Sequence, residues 1–319
     1  MLERASWRVI VGLTGLLVLS SLVWMFQGIG SGNRSFVLTL RATKLAGLII
    51  VGASIAIATV LFQTVSANRV LTPSIMGFDA LYLLLQTLLV ASLGITGFAM
   101  LDPTLKFLAE IAVMVLLAGL LFGTLLGRGG RDIPRTILTG VILGVLFRSI
   151  SGFVSRILDP NAYAVVQSVS FASFGSINVS LLLPGGLIAA ATIMGAFALS
   201  SRLDVLALGR TAAVSLGLRH RLMVLMTLAL VAVLVSVSTA LVGPVGFFGL
   251  LVAGLAHAAA ASDRHAALLP IAGLIGAIIL VAGQTIFERA TSQPATLSVV
   301  VEFAGGMFFL YLLMKGRIR

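Results

Sequence analysis

The sequence predicts an all-α integral membrane protein of about ten transmembrane helices, and three observations predict it. Of 319 residues, 59% are hydrophobic and only 10% are charged, and the mean hydropathy is +1.17, far outside the balance of a soluble domain. Apolar runs of spanning length recur along the whole chain between short punctuated connections. The basic residues behind the formal net charge of +11 gather in alternate connections rather than in one stretch. About ten crossings of roughly 20 residues each use roughly 200 residues, which leaves no room for a soluble catalytic domain.

The first apolar run, near 9–26, is too long for a signal-peptide core. It runs into Gly28-Ile29-Gly30-Ser31 without a small-x-small cleavage site just after it, so it is read as a helix and no cleaved leader is expected. Further spans are read near 45–65, 80–99, 107–126, 136–157, 181–201, 222–242, 246–261, 267–287 and 297–314, each an aliphatic run bounded by charge, Gly, Pro or Asn. Two connections exceed a simple turn: one near 158–180, rich in Ser and Asn, and one near 202–221. Partners bind most readily there. With no repeat and no linker, residues 1–319 read as one membrane domain.

If the N-terminus is cytoplasmic, the inner side collects Arg4, Arg8, Arg69, Arg128, Arg131, Arg135, Arg202, Arg210, Arg219, Arg221, Arg264, Lys315, Arg317 and Arg319. The outer side holds only Arg34, Arg41, Lys44, Lys106, Arg156 and Arg289, and Arg148 falls inside a span. This asymmetry puts both termini, the 202–221 connection included, on the cytoplasmic side and the 158–180 connection outside. The positive charge is thus a topology signal, with some contact to anionic lipid headgroups, and not a nucleic-acid footprint.

The chemistry available to the chain is narrow. It has no cysteine, and His220, His257 and His265 are scattered, so no metal centre and no bound cofactor are expected. Lys44, Lys106 and Lys315 lie in no G-x-x-x-x-G-K-[ST] loop, so any ATP and magnesium must be handled by another polypeptide. No G-x-S-x-G elbow is present, and enzyme readings are weak. Glu110, Arg148 and Glu302 fall at bilayer depth and need water, a partner or a nearby helix end. One reading puts Glu110 among headgroups, lets Arg148 snorkel or pair, and turns Glu302 toward another helix or subunit. The other makes the carboxylates a proton relay in a standalone ion-coupled transporter. Gly185-Gly186 and Gly305-Gly306 read as helix-packing sites or helix ends.

Three stretches carry a further signal. Arg41-Ala-Thr-Lys44 followed by Gly52, Gln63, Asn68, Pro73 and Gly77 follows an R-x-x-R, G, Q, N-P-L-A-x-P-x-x-L-G series, with Asn68-Arg69 in place of N-P. Leu208-Gly209-Arg210-Thr211-Ala212-Ala213-Val214-Ser215-Leu216-Gly217 follows L-G-x-x-x-A-x-S-L-G without a gap, with arginine where an acidic residue is common. Gly243-Pro244-Val245-Gly246-Phe247-Phe248-Gly249-Leu250 follows G-P-I-G-F-V-G-L. Asp263 and Pro270 stand at the matching distances beyond it, and Ala253-Gly254 replaces Pro-His. Together these resemble the FecCD-type permease subunits of bacterial ABC importers for iron–siderophore complexes, haem and cobalamin. The likeness thins toward the C-terminus, where Gln284 replaces a common aspartate and the run from Glu302 to Leu312 replaces a P-V-G approach. Those departures resemble siderophore permeases that work beside a second, non-identical permease.

The resemblance implies a type II importer architecture in the bacterial cytoplasmic membrane: two permeases of about ten helices around one pathway, with two ATPase subunits on the cytoplasmic side. It assigns Leu208, Gly209, Ala213, Ser215, Leu216 and Gly217 to ATPase coupling, the small residues allowing close approach and Leu216 acting as apolar anchor. The alternative is an ordinary basic loop. It assigns Arg41, Lys44 and, one residue beyond the usual position, Arg289 to docking of an extracytoplasmic solute-binding protein, against interfacial snorkelling. Helix two, helix five and the segment before Asp79 are expected to line the path of a ferric siderophore, with Gln63 and Asn68 supplying polar atoms or, equally, satisfying helix ends.

Overall fold

The computed structural model describes residues 2–28, 34–127, 133–175, 177–290 and 297–314, with side chains for all of these except 2–5, 123–127, 133–134, 289–290 and 312–313. Ile29, Gly30, Ser31, Arg128, Arg131, Lys315, Arg317 and Arg319 lie outside them. The order is α1 (Leu2–Phe26), α2 (Arg34–Ser66), a 3-10 turn (Pro73–Met76), α3 (Phe78–Met100), α4 (Pro103–Gly127), α5 (Ile133–Ser155), α6 (Pro160–Val169) and α7 (Val179–Ala198). It continues with α8 (Ser200–Ala207), α9 (Arg210–Ser215), α10 (His220–Val242), α11 (Phe248–Ala259), α12 (His265–Ala290) and α13 (Leu297–Met314). No strand occurs among the described residues.

Each expected span has its helix. Among the described residues eight helices are long and apolar enough to cross a membrane, while α11 and α13 are shorter apolar helices. The shortness of α11 is set at Gly243-Pro244. Gly243 adopts φ 97, which ends α10, and residues 243–247 run non-helically before α11 begins. With 12 residues, α11 is about 18 Å long, short of a hydrocarbon core of about 30 Å. The span expected near 80–99 is also interrupted, because Gly94 leaves helical geometry inside α3 at φ 70, ψ 177. The long connection near 158–180 is not bare loop. Asp159 accepts hydrogen bonds from the N–H groups of Asn161 and Ala162, and Pro160 opens α6.

The core is built around α2, which packs against α12, α10, α11 and α7. Its 33 residues span about 50 Å, more than the bilayer's apolar thickness, and it is buried through most of its length from Gly47 onward. The closest approach in the core is backbone to backbone. A Cβ placed on Gly52 would stand 2.6 Å from the carbonyl oxygen of Gly276 on α12, so no larger residue fits either position. In lipid, where apolar association gains little from water, such close packing is what holds helices together. Gly77 and Gly144 join the 3-10 turn to α5 in the same way. Of the glycine pairs singled out in the sequence, Gly185 meets Phe107 and Leu241, Gly186 meets Ile50 and Gly305 meets Phe247, whereas Gly306 has nothing within 4 Å.

These contacts set up a paired comparison. Gly52→Ala drives a methyl into the α12 backbone and lowers the melting temperature in detergent, by about 1–3 kcal/mol of overpacking. Gly119→Ala on α4, where nothing lies within 4 Å, leaves it unchanged or higher. Equal melting temperatures for the two variants would remove the glycine contact as a determinant of the fold.

Candidate docking and coupling ends

The end of the molecule where α1 and α12 finish gathers the cations expected to dock a partner. Arg41 Nη1 donates to the carbonyls of Trp24 at 3.3 Å, Met25 at 2.9 Å and Gln27 at 2.9 Å, while the Trp24 indole N–H donates back to the Arg41 carbonyl at 3.0 Å. The last carbonyls of α1 have no partners within their own helix, and a guanidinium there satisfies them and complements the helix dipole. Lys44 Nζ lies 3.4 Å from Glu288 Oε1 on α12, and Gln284 Nε2, one turn earlier, donates to the same oxygen at 2.8 Å. Arg289 follows Glu288 in α12 at this end. Its side chain lies outside the described residues. The three expected cations are thus brought to one end, but Arg41 is engaged in capping and Lys44 in an ion pair. Glu288, at the position just before Arg289, ties α12 to α2 at this end.

Lys44 and Thr64 stand on the same helix about 30 Å apart, the thickness of a hydrocarbon core. The far end of α2 is closed by the polar residues expected along a path. Gln63 Nε2 donates to the Arg69 carbonyl at 2.6 Å, the Asn68 N–H donates to the Gln63 carbonyl at 3.3 Å, and Asn68 Oδ1 accepts from the Val70 N–H at 2.9 Å. These contacts satisfy the end of α2, one of the two roles that the sequence leaves open for Gln63 and Asn68. Arg69 reaches Asp263 at 3.3 Å and His257 reaches it at 3.7 Å, joining this turn to the α11–α12 connection.

The short helices α8 and α9 sit at that same end. Leu203 and Leu206 seat α8 in the core. Gly209 at φ 89 turns the chain into α9, and Gly217 at φ 80 closes it. There Gly217 N–H donates to the Val214 carbonyl and Leu218 N–H to the Ala213 carbonyl, both at 2.9 Å. That left-handed closure is why glycine stands at 217. Ser215 Oγ donates to the Thr211 carbonyl at 3.0 Å. Ala213 is 0% exposed and faces the body of the molecule, so its small size seats α9 on its own chain. The exposed apolar residues here are Leu208, Val214 and Leu216, at 63%, 54% and 64% exposed, and Arg202, Arg210, Arg219 and Arg221 of the same segment are exposed too. Val214 is missing from the sequence reading. It occupies an unspecified position of the motif, and only the helical phase relative to Ala213 marks it as outward.

The two carboxylates expected at bilayer depth find protein partners. Glu110 is 5% exposed, accepts from Gln86 Nε2 at 2.6 Å, and lies 3.7 Å from Lys106 Nζ, which itself stands 3.9 Å above the Phe98 ring. Glu110 therefore ties α4 to α3. Glu302, half-buried on α13, faces the backbone N–H of Gly246, which matches the expectation that it meets another segment. Arg148 is exposed on α5. Among the described residues no group of three or more acidic or histidine side chains lies together as a metal site would need.

Comparison with known proteins gives this arrangement a context. Residues 7–315 match the FecCD transport family. The chain is 39% identical over 303 residues to the petrobactin import system permease protein YclO of Bacillus subtilis (strain 168), covering 95% of this chain and 96% of that protein. It is 33% identical over 324 residues to the petrobactin import system permease protein FatC of Bacillus anthracis, covering 98% and 90%. Its fold matches a solved metal-chelate type ABC transporter in an inward-facing conformation with a TM-score of 0.79 at 23% identity, covering 97% of this chain and 99% of that one. A family match across almost the whole sequence, on a helical bundle with the same fold, makes the chain a member of the FecCD transport family.

Proposed function

We propose that this chain is the membrane permease subunit of an ATP-driven importer that carries a ferric siderophore, petrobactin or a relative of it, across the bacterial cytoplasmic membrane. The observation that carries this reading is likeness over nearly the full length to two permeases named for petrobactin import. In it, ATP and magnesium belong to separate ATPase subunits, and a second permease, either a non-identical one or another copy of this chain, completes the pathway. A loaded extracytoplasmic binding protein meets the Arg41, Lys44 and Arg289 end, both termini lie in the cytoplasm, and the ATPases meet α8 and α9. Iron stays inside its chelator, so the permease needs a weakly binding path rather than metal ligands. For the ATP-driven movement to import, the cargo must bind the outward and inward states differently.

The segment around α9 exposes both apolar anchors, Leu208, Val214 and Leu216, and arginines, residue types suited to a partner interface. Leu216→Asp is expected to weaken ATPase capture about thirtyfold, the loss of one anchor of about 2 kcal/mol, while leaving membrane insertion and α9 unchanged. Ala213→Glu is expected to lose the ATPase by unseating α9, with a lowered melting temperature as well. Normal uptake by both variants would remove the coupling assignment.

At the other end, Lys44→Glu places like charge beside Glu288 and removes a docking cation. Binding-protein affinity measured by surface plasmon resonance is expected to fall several-fold at low salt and to converge on wild type as ionic strength rises. Arg41→Glu should add a loss of thermal stability, because it strips the cap from α1. Salt-independent affinities equal to wild type would withdraw the docking role.

Purification from iron-starved cells in mild detergent tests the whole reading. Stoichiometric recovery of an ATPase, and ATP-dependent uptake of ferric petrobactin in proteoliposomes holding the recovered complex, is the expected result. Uptake by the chain alone, driven by a proton gradient and indifferent to ATP, would replace it with an ion-coupled transporter.

A further inference from the structure

The eight-residue helix α8 is joined to both helices of the central pair through one side chain. His265 opens α12 and is 3% exposed. Its Nδ1 lies 2.7 Å from Asp204 Oδ1 on α8, and its backbone N–H donates to that same oxygen at 2.7 Å. Its Nε2 lies 2.7 Å from Thr64 Oγ1, one turn from the end of α2. A carboxylate only accepts, so the hydrogen of the first pair sits on Nδ1, and Asp204 at once caps α12 and fixes the imidazole's orientation. Thr64 Oγ1 also lies 2.9 Å from the Val60 carbonyl, which holds the hydroxyl against its own helix. A buried polar group that loses its partner is penalised by desolvation, so α8 cannot slide by the length of a hydrogen bond without moving the imidazole or stranding it.

We infer that Asp204, His265 and Thr64 form a latch through which a displacement of α8 and α9 moves α12 and α2 together. The inference rests on reading α8 and α9 as the element that receives the ATPase, and it adds the route by which their movement leaves that end. α12 and α2 are already locked by the Gly52–Gly276 contact at mid-length and by Lys44, Gln284 and Glu288 at the docking end. A push on Asp204 therefore acts on a pair of helices joined at three levels, and rigid packed elements are the physical means by which such a push reaches a distant site. His265 is a positioning residue: it touches neither cargo nor nucleotide.

The test uses the complete transporter, with its ATPase and binding protein, in proteoliposomes, and reads uptake per ATP hydrolysed. His265→Asn keeps a donor for Asp204 but does not reach Thr64. Thr64→Val is nearly isosteric and removes only the hydroxyl. Both variants are expected to retain ATPase in stoichiometric amount and to hydrolyse ATP, while uptake per ATP falls about tenfold, the scale of a coupling between sites. If Asp204 and His265 serve only to cap α12, His265→Asn keeps the wild-type ratio, and that result overturns the latch. Should His265→Asn fail to assemble, Thr64→Val decides alone, since a wild-type ratio in it shows that the link to α2 carries nothing. A wild-type chain that captures no ATPase, or whose uptake ignores ATP, overturns the coupling reading itself. ATP-coupled uptake by wild type together with unchanged variants overturns the latch only.

Discussion

Two backbones in contact, Gly52 on α2 against Gly276 on α12, set the spacing on which the rest of the bundle depends. Because neither position carries a side chain, the helices approach more closely than aliphatic packing allows, and the dispersion gained there substitutes for the hydrophobic drive that lipid does not supply. Around that seam α10, α11 and α7 complete the casing of α2, and on α11 Gly249 leaves room for the Thr59 side chain. The outer helices show the reverse: α1 and α13 leave rows of large apolar side chains, Leu16, Leu19, Phe303 and Met307 among them, on the surface. In a membrane such rows face lipid or another subunit, and either environment suits them.

Charge is placed by a second rule, that a polar group at depth must be answered locally. Arg41 answers the carbonyls at the end of α1, Gln63 and Asn68 answer the turn after α2, and Lys106 with Gln86 answers Glu110. Residues that look functional by type are therefore also structural by contact. This double duty explains why a cation proposed for docking can be half-buried, and why a carboxylate inside a span need not conduct protons.

Much of the architecture was legible because spanning helices demand length and apolarity, and both are written locally. The positions of all the long helices follow from that demand, and the left-handed glycines at 209 and 217 stand inside a motif that could be quoted residue by residue. What escaped depends on neighbours distant in the chain. The shortness of α11 comes from the non-helical run after Gly243, which hydropathy does not register. The burial of Ala213 follows from how α9 lies on α8 and α10, which its motif does not show. Asp204 and His265 are 61 positions apart, and no local pattern joins them. Glu288 had the one readable cue, a spacing of four from Gln284 on a helix.

The length of α2 has a mechanical corollary. Its crossing point at Gly52 stands about 27 Å from one end and about 21 Å from the other, and α2 is fastened to α12 there and near both ends. Two helices fastened at three levels are stiffer than either alone. A tilt of about 5° in such a strut would carry its ends by about 2 Å while the middle of the bundle stays packed.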